Sequence, residues 1–168
     1  RDLTTRPEDY DEIIKGKTAG PFANACAAAA ILADAPETTI ENLKDFGMGI
    51  GVAFQMVDDL LDLTGDMSMG KPRGTDVHEG KMTLPLIHAL TILHGAPRQR
   101  ISEILESFND AHWDELTELL HQAGSFEYTK NLIETHLINA LDKLRMLPLT
   151  PARELMEGLA EISLGRKV

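Results

Sequence analysis

One stretch, residues 37–63, carries apolar residues at helical spacing for an unusually long run. At about 100° per residue, Leu43, Phe46, Ile50, Phe54, Val57 and Leu61 fall on one stripe, which is expected to face a core. A chain organised around such a helix is committed to helix-on-helix packing. The flanking sequence agrees, since no stretch alternates like a strand. A short helix is expected over Pro7–Ile14, then a break at Gly16-Lys17-Thr18 and a small-residue helix over 18–33. Ala35-Pro36 resets the chain, and Gly65 is suited to cap the long helix. Residues 65–81 read as an ordered loop. Thr83 is placed to cap the next helix, with Pro85 in its first turn, and this helix runs to about residue 94. Amphipathic segments follow at 98–108, 112–122, 125–145 and 151–165. The expectation is one all-α segment, a bundle or stack, without internal repeats.

The same long helix holds a second face. Gln55, Asp58, Asp59 and Asp62 stand at i, i+3, i+4 and i+7, displaced by roughly a quarter turn from the apolar stripe. Asp58 and Asp62 stack one turn apart, the pair best placed to grip a common ion. Like charges at such spacing repel, more so when half-buried, unless a cation neutralises them. Oxygen-only ligands point to a hard ion, and Mg²⁺ commonly combines a few carboxylates with substrate phosphate and water. The plainer alternative is a solvated acidic face. Against it, Asp forms helices poorly and the preceding run, from Gly47 to Phe54, is apolar and glycine-rich. Close helix–helix packing is the expected role of those glycines.

Directly after the acidic helix come Gly65-Asp66, Gly70-Lys71-Pro72, Gly74-Thr75-Asp76 and Glu79-Gly80-Lys81-Met82-Thr83-Leu84-Pro85. Lysines here could reach phosphate oxygens already held by a cation. A nucleotide P-loop is excluded, because Gly-x4-Gly-Lys-Ser/Thr is absent and no strand precedes the glycines. Upstream, Pro21 has no N–H for the carbonyl of Lys17. A helix through this region would kink and leave that carbonyl free beside Lys17 and Thr18, a setting suited to diphosphate next to developing positive charge. Equally compatible with these residues, Pro21 begins a new helix and Lys17 is a loop lysine.

Charge and composition narrow the partners. A formal charge of −11 argues against non-specific nucleic-acid binding, though not against a local basic pocket. No apolar run approaches the roughly 20 residues that span a bilayer. Cys26 is the single cysteine, so no intramolecular disulfide forms, which fits a reducing, cytoplasmic location. The chain starts at Arg1 without Met, which leaves open a targeting segment ahead of it.

Together, Lys17-Thr18-Ala19, Gly51 to Gln55 leading into Asp58-Asp59-Leu60-Leu61-Asp62, and the loop blocks through Pro85 resemble the trans-prenyl diphosphate synthases, the polyprenyl synthetases. The block Phe54-Gln55-x-x-Asp58-Asp59-x-x-Asp62 is similar to the family's second aspartate-rich motif. The resemblance covers nearly the whole chain and implies the C-terminal part of a class I isoprenoid synthase bundle. It implies Mg²⁺-dependent condensation of an allylic diphosphate with isopentenyl diphosphate, giving a product longer by five carbons. By position, Asp58 would be the main Mg²⁺ ligand, with Asp59 and Asp62 assisting directly or through water. Lys17, Lys71 and Lys81 would hold the diphosphate, Thr18 and Gln55 would lie beside the allylic cation, and Asp76 would support the ligands from behind.

The family's first aspartate-rich motif and its isopentenyl diphosphate-binding positions have no match here, and Asp9-Tyr10-Asp11 is not a substitute. The chain is therefore expected to be the C-terminal half of a larger synthase, inactive alone and completed by an N-terminal half. Its unpartnered apolar faces at 18–33 and 43–61 would favour a homo-oligomer, a dimer. A non-catalytic regulatory or binding subunit of a heteromeric synthase is the alternative. A different class I terpenoid enzyme is disfavoured, because the Gly-Lys and Glu-Gly-Lys-x-Thr-Leu-Pro blocks are not expected together there.

Overall fold

The computed structural model describes residues 2–65 and 74–164, and every regular element among them is helical. Helix α1 (Pro7–Ile14) does not break before Lys17. It passes through a π-turn (Lys15–Ala19) into α2 (Gly20–Leu32). Backbone angles stay in the right-handed helical region at Ile14, Ala19 and Gly20, and the Gly20 N–H donates to the Lys15 carbonyl five residues back. Widening one turn shifts the hydrogen-bond register where Pro21 has no N–H to give, so the chain continues instead of kinking apart. Asp34, at φ 50°, ends α2. Its N–H reaches the Ile31 carbonyl and that of Ala35 the Ala30 carbonyl, the reciprocal pattern of a Schellman stop.

Helix α3 (Glu37–Thr64) is the long helix expected. The Gly65 N–H donates to the Leu61 carbonyl at 2.6 Å. Gly65 is not left-handed; its need for glycine is steric, since a Cβ would stand 2.5 Å from the Leu61 carbonyl oxygen. After residue 74 come α4 (Thr75–His78), α5 (Leu84–Ile92), α6 (Ala96–Glu106), α7 (Trp113–Gln122) and α8 (Ser125–Arg145). A 3-10 turn (Asp110–His112) precedes α7, and α9 (Pro151–Leu164) closes the described chain. Helix α5 stops at Ile92, short of His94, because Leu93 is already extended and Gly95 turns at φ 63°; α6 then begins at Ala96. Thr83 precedes α5 in extended backbone but makes no side-chain cap. Its Oγ1 is buried without a hydrogen-bond partner among the described residues.

The chain divides into two compact units. One gathers the segment up to Tyr10 with Asp58–Asn131. Its core packs Leu63, Val77, Leu86, Leu90, Ile101, Ile104, Leu105, Trp113, Leu116 and Leu120. Fully buried aliphatic side chains each contribute about 1.5–3 kcal/mol by leaving water. Gly74 sits under the Trp113 ring at φ 73°, so both its conformation and the space around it require glycine.

The other unit gathers Asp11–Val57 with the residues from Leu132 onward. Here the glycines of α3 let helices approach closely, as expected. A Cβ on Gly47 would meet the Phe22 carbonyl oxygen at 2.6 Å, and one on Gly51 the Ala19 Cα at 2.5 Å. On another side, a Cβ on Gly49 would meet the Ala140 Cβ of α8 at 2.9 Å. Helix α2, apolar on every side, buries only Ala23 and Ala30 and leaves Phe22, Ile31 and Leu32 exposed.

The buried side of α3 is wider than the expected stripe and turned from it. Phe46, Ile50 and Val57 are buried, but so are Val52, Ala53, Met56, Leu60 and Leu63, while Phe54 and Leu61 are only half-buried. This rotation decides which carboxylate points inward.

Candidate functional site: the carboxylate end of α3

Asp59 lies about 40° around the helix from Leu63 and about 60° from Met56, inside the buried face. It is 5% exposed and accepts a hydrogen bond on Oδ2 from the Tyr10 hydroxyl at 2.7 Å, Tyr10 itself being 4% exposed. Gln55, Asp58 and Asp62 remain half-buried. The four polar residues therefore do not form one surface: Asp59 turns into the protein, and the other three stay on the flank of α3.

Asp62 has a structural task. Its Oδ1 accepts from the Thr75 N–H and its Oδ2 from the Asp76 N–H, both at 3.0 Å, while its own carbonyl accepts from the Gly74 N–H at 2.9 Å. The carboxylate thus caps α4, where N-terminal amides lack partners. Burial pushes the Asp62 carboxyl above its ordinary range; the Asp76 N–H opposes this, the Asp76 charge adds to it, and the Thr75 N–H and Lys81 charge lower it. Asp76 joins this arrangement: besides its N–H to Asp62, its Oδ1 accepts from the Lys81 ammonium at 2.6 Å. Lys81 also pairs with Glu79 at 2.7 Å. Hydrogen bonds to Asp76 first, and then to Glu79, raise the Lys81 ammonium above its usual range, so it stays charged at any physiological pH. Its side chain is half-exposed, so these pairs are exchangeable for an incoming anion. Lys71 lies outside the described residues.

In the other unit, Thr18 occupies the π-turn and donates from Oγ1 to Gln55 Oε1 at 2.8 Å, tying the turn to α3. Ala19 beneath it is fully buried against Gly51. Lys17 is exposed on the same turn. Wide turns of this kind concentrate at functional positions, because they aim side chains that a regular helix would direct elsewhere.

Among the described residues, no three or more His, Cys, Asp or Glu side chains are grouped to hold a metal ion. The oxygen donors on the flank of α3 are Asp58 and Asp62, one turn apart. Each Asp62 oxygen receives one N–H and retains acceptor capacity. This donor set fits a hard divalent cation that takes most of its shell from water and phosphate, and Mg²⁺ is the ion with that habit. Sequence reasoning missed Tyr10, because its partner Asp59 stands 49 residues away and Tyr10 itself belongs to no local motif.

Residues 1–123 match the family model described as polyprenyl synthetase. Over 163 residues the chain is 40% identical to octaprenyl diphosphate synthase of Escherichia coli, covering 95% of this chain and 50% of that protein. It is 37% identical to a short chain isoprenyl diphosphate synthase of Methanothermobacter thermautotrophicus, covering 98% of this chain and 51% of the relative. Among solved structures, a decaprenyl diphosphate synthase from Rhodobacter capsulatus superposes with a TM-score of 0.91 at 33% identity, over 98% of this chain and 52% of that one. A polyprenyl synthase from Caulobacter crescentus, complexed with calcium and isoprenyl diphosphate, gives 0.90 at 33% identity, over 99% and 52%. The fold is that of the isoprenyl diphosphate synthases, and the chain spans about half the length of the curated relatives it matches.

Proposed function

Because the chain belongs to the polyprenyl synthetase family, we propose that it supplies the carboxylate-bearing wall of a trans-prenyl diphosphate synthase. The reaction joins an allylic diphosphate to isopentenyl diphosphate. The allylic carbon–oxygen bond breaks, releasing pyrophosphate. The isopentenyl double bond attacks the allylic carbon, and a proton leaves to give a chain five carbons longer. One observation carries the reading: the acidic end of α3 is bound, through Asp62, to the backbone of the segment that carries Asp76 and Lys81.

Mg²⁺, held by Asp58 and Asp62 together with diphosphate oxygens, would neutralise the leaving group and draw electrons from the breaking bond. Asp58 is the main protein ligand in this reading. Lys81 and Lys71 add positive charge to the diphosphate, with Lys81 exchanging its Glu79 pair for a phosphate oxygen. Lys17 is the third cation. Thr18 and Gln55 orient one another, and their oxygen dipoles favour positive charge at the allylic carbon. The Caulobacter crescentus relative, seen with a divalent cation and an isoprenyl diphosphate, supports this pairing of ion and ligand.

The full-length protein is a homodimer in this reading and acts in the cytoplasm. The exposed Phe22, Ile31 and Leu32 of α2 support further helices covering that face. No helix among the described residues is long and apolar enough to cross a membrane. Incubating the full-length protein with Mg²⁺, an allylic diphosphate and isopentenyl diphosphate tests the activity. A product longer by five carbons in the mass spectrum is expected; intact substrates would overturn the proposal.

A further inference from the structure

We propose that Tyr10 and Asp59 form a positioning pair that sets the rotation of the carboxylate helix, and that Asp59 does this instead of ligating the cation. The inference rests on the prenyl-transfer reading above and extends it to a residue outside the aspartate motif. Both partners are more than nine-tenths buried, and the 2.7 Å separation belongs to a strong hydrogen bond from a hydroxyl to a charged oxygen. A carboxylate enclosed to this degree is costly without such donors. Its neighbours on α3, Leu60 and Leu63, are buried apolar residues, which places Asp59 on the inner side of the helix.

Rotation matters because one helix carries both kinds of carboxylate. Asp58 stands about 100° from Asp59 around the axis and Asp62 about 60° on the same side. With Asp59 anchored at one point, the last turns of α3 cannot roll without breaking the Tyr10 bond. Asp58 and Asp62 are therefore presented in a fixed direction. Tyr10 lies in α1, which continues into the π-turn bearing Lys17 and Thr18. The arrangement also gives a third aspartate, at a position turned away from solvent, a buried phenol as a hydrogen-bond donor.

The test is a double-mutant cycle in the full-length protein with Tyr10→Phe, Asp59→Asn and both together. Readouts are kcat, KM for isopentenyl diphosphate, the Mg²⁺ concentration for half-maximal rate, and Mn²⁺ binding in the presence of pyrophosphate by electron paramagnetic resonance. Losing a hydrogen bond to a charged group predicts a fall in kcat of about tenfold for Tyr10→Phe. Higher Mg²⁺ demand and weaker Mn²⁺ binding should accompany it, with KM for isopentenyl diphosphate unmoved. In the Asp59→Asn background, Tyr10→Phe should change kcat less than about twofold, because the two act as a unit. A purely structural tyrosine would lower the melting temperature and leave the metal dependence of the folded enzyme unaltered, which would overturn the proposal. So would equal costs of Tyr10→Phe in both backgrounds. If the wild-type protein releases no pyrophosphate in Mg²⁺, the prenyl-transfer reading fails and takes this inference with it. If the wild type reacts and Tyr10→Phe matches it, this inference fails alone.

Discussion

Replacing Gly51 by alanine inserts one methyl group where α3 meets the π-turn. The new carbon would stand 2.5 Å from the Ala19 Cα, 3.0 Å from its Cβ and 3.3 Å from the Phe22 Cβ. Carbon atoms prefer about 3.5–4.0 Å, so the overlap with Ala19 is about 1 Å, and the obstacle is backbone that no rotamer change can clear. Overpacking typically costs 1–3 kcal/mol, and a backbone obstacle places this case near 3 kcal/mol. Alanine recovers about 1 kcal/mol of helix propensity. The net expectation is destabilisation by about 2 kcal/mol, or about 4–8 °C in melting temperature. Gly158 in α9 is the control, because a Cβ there meets nothing within 4 Å. Gly158→Ala should be stabilising by up to about 1 kcal/mol. Thermal and urea unfolding of both variants in the full-length protein measure the contrast. A Gly51→Ala protein as stable as wild type, or equal losses in both variants, would refute the close-packing argument.

Removing the Asp62 carboxylate with Asp62→Ala strips the cap from α4 at a cost of about 1–2 kcal/mol. Amide exchange at Thr75 and Asp76 should then quicken by about 5- to 30-fold, and unchanged protection would contradict the capping role. Burial lowers the imidazole pKa of both His88 and His136 from the ordinary 6.5; at His136 the Asp11 charge opposes this and the Lys15 charge reinforces it. A lowered folded-state value means that the unfolded chain takes up these protons first, so stability present above about pH 6.5 is lost as pH falls below it. Urea midpoints between pH 7 and 5 should decline less steeply in His88→Gln and His136→Gln; identical slopes would exclude these residues.

Much of the architecture was legible because it rests on local signals. The long periodicity of α3, the prolines opening helices and the glycines between them marked the element order closely. The π-turn was not legible. Pro21 announced a missing donor, but whether the chain breaks or widens its turn depends on the tight seat of Ala19 against Gly51, a tertiary contact. The candidate site divided in the same way. Spacing placed Gln55, Asp58 and Asp62 on a common flank, whereas the 2.8 Å hydrogen bond between Thr18 and Gln55 joins residues 37 positions apart and has no local signal. Asp59 departs from the flank its spacing suggests, because the burial of α3 centres near Ala53 and Leu60 and not on the stripe through Phe54 and Leu61. Its true neighbour, Tyr10, lies on a separate helix and has no local signature. Asp62 shows a third limit: its capping bonds depend on where Thr75 and Asp76 return in space.

The central claim is that the half-buried flank of α3 carries the ligand whose charge drives ionisation of an allylic diphosphate. Single-turnover release of pyrophosphate by the full-length Asp58→Ala protein tests it most directly, beside wild type at saturating Mg²⁺ and with circular dichroism as the check on folding. Loss of an electrostatic group acting on the leaving group predicts a rate lower by at least about 100-fold in a protein with an unchanged helical spectrum. A folded Asp58→Ala protein releasing pyrophosphate at near the wild-type rate would contradict the account.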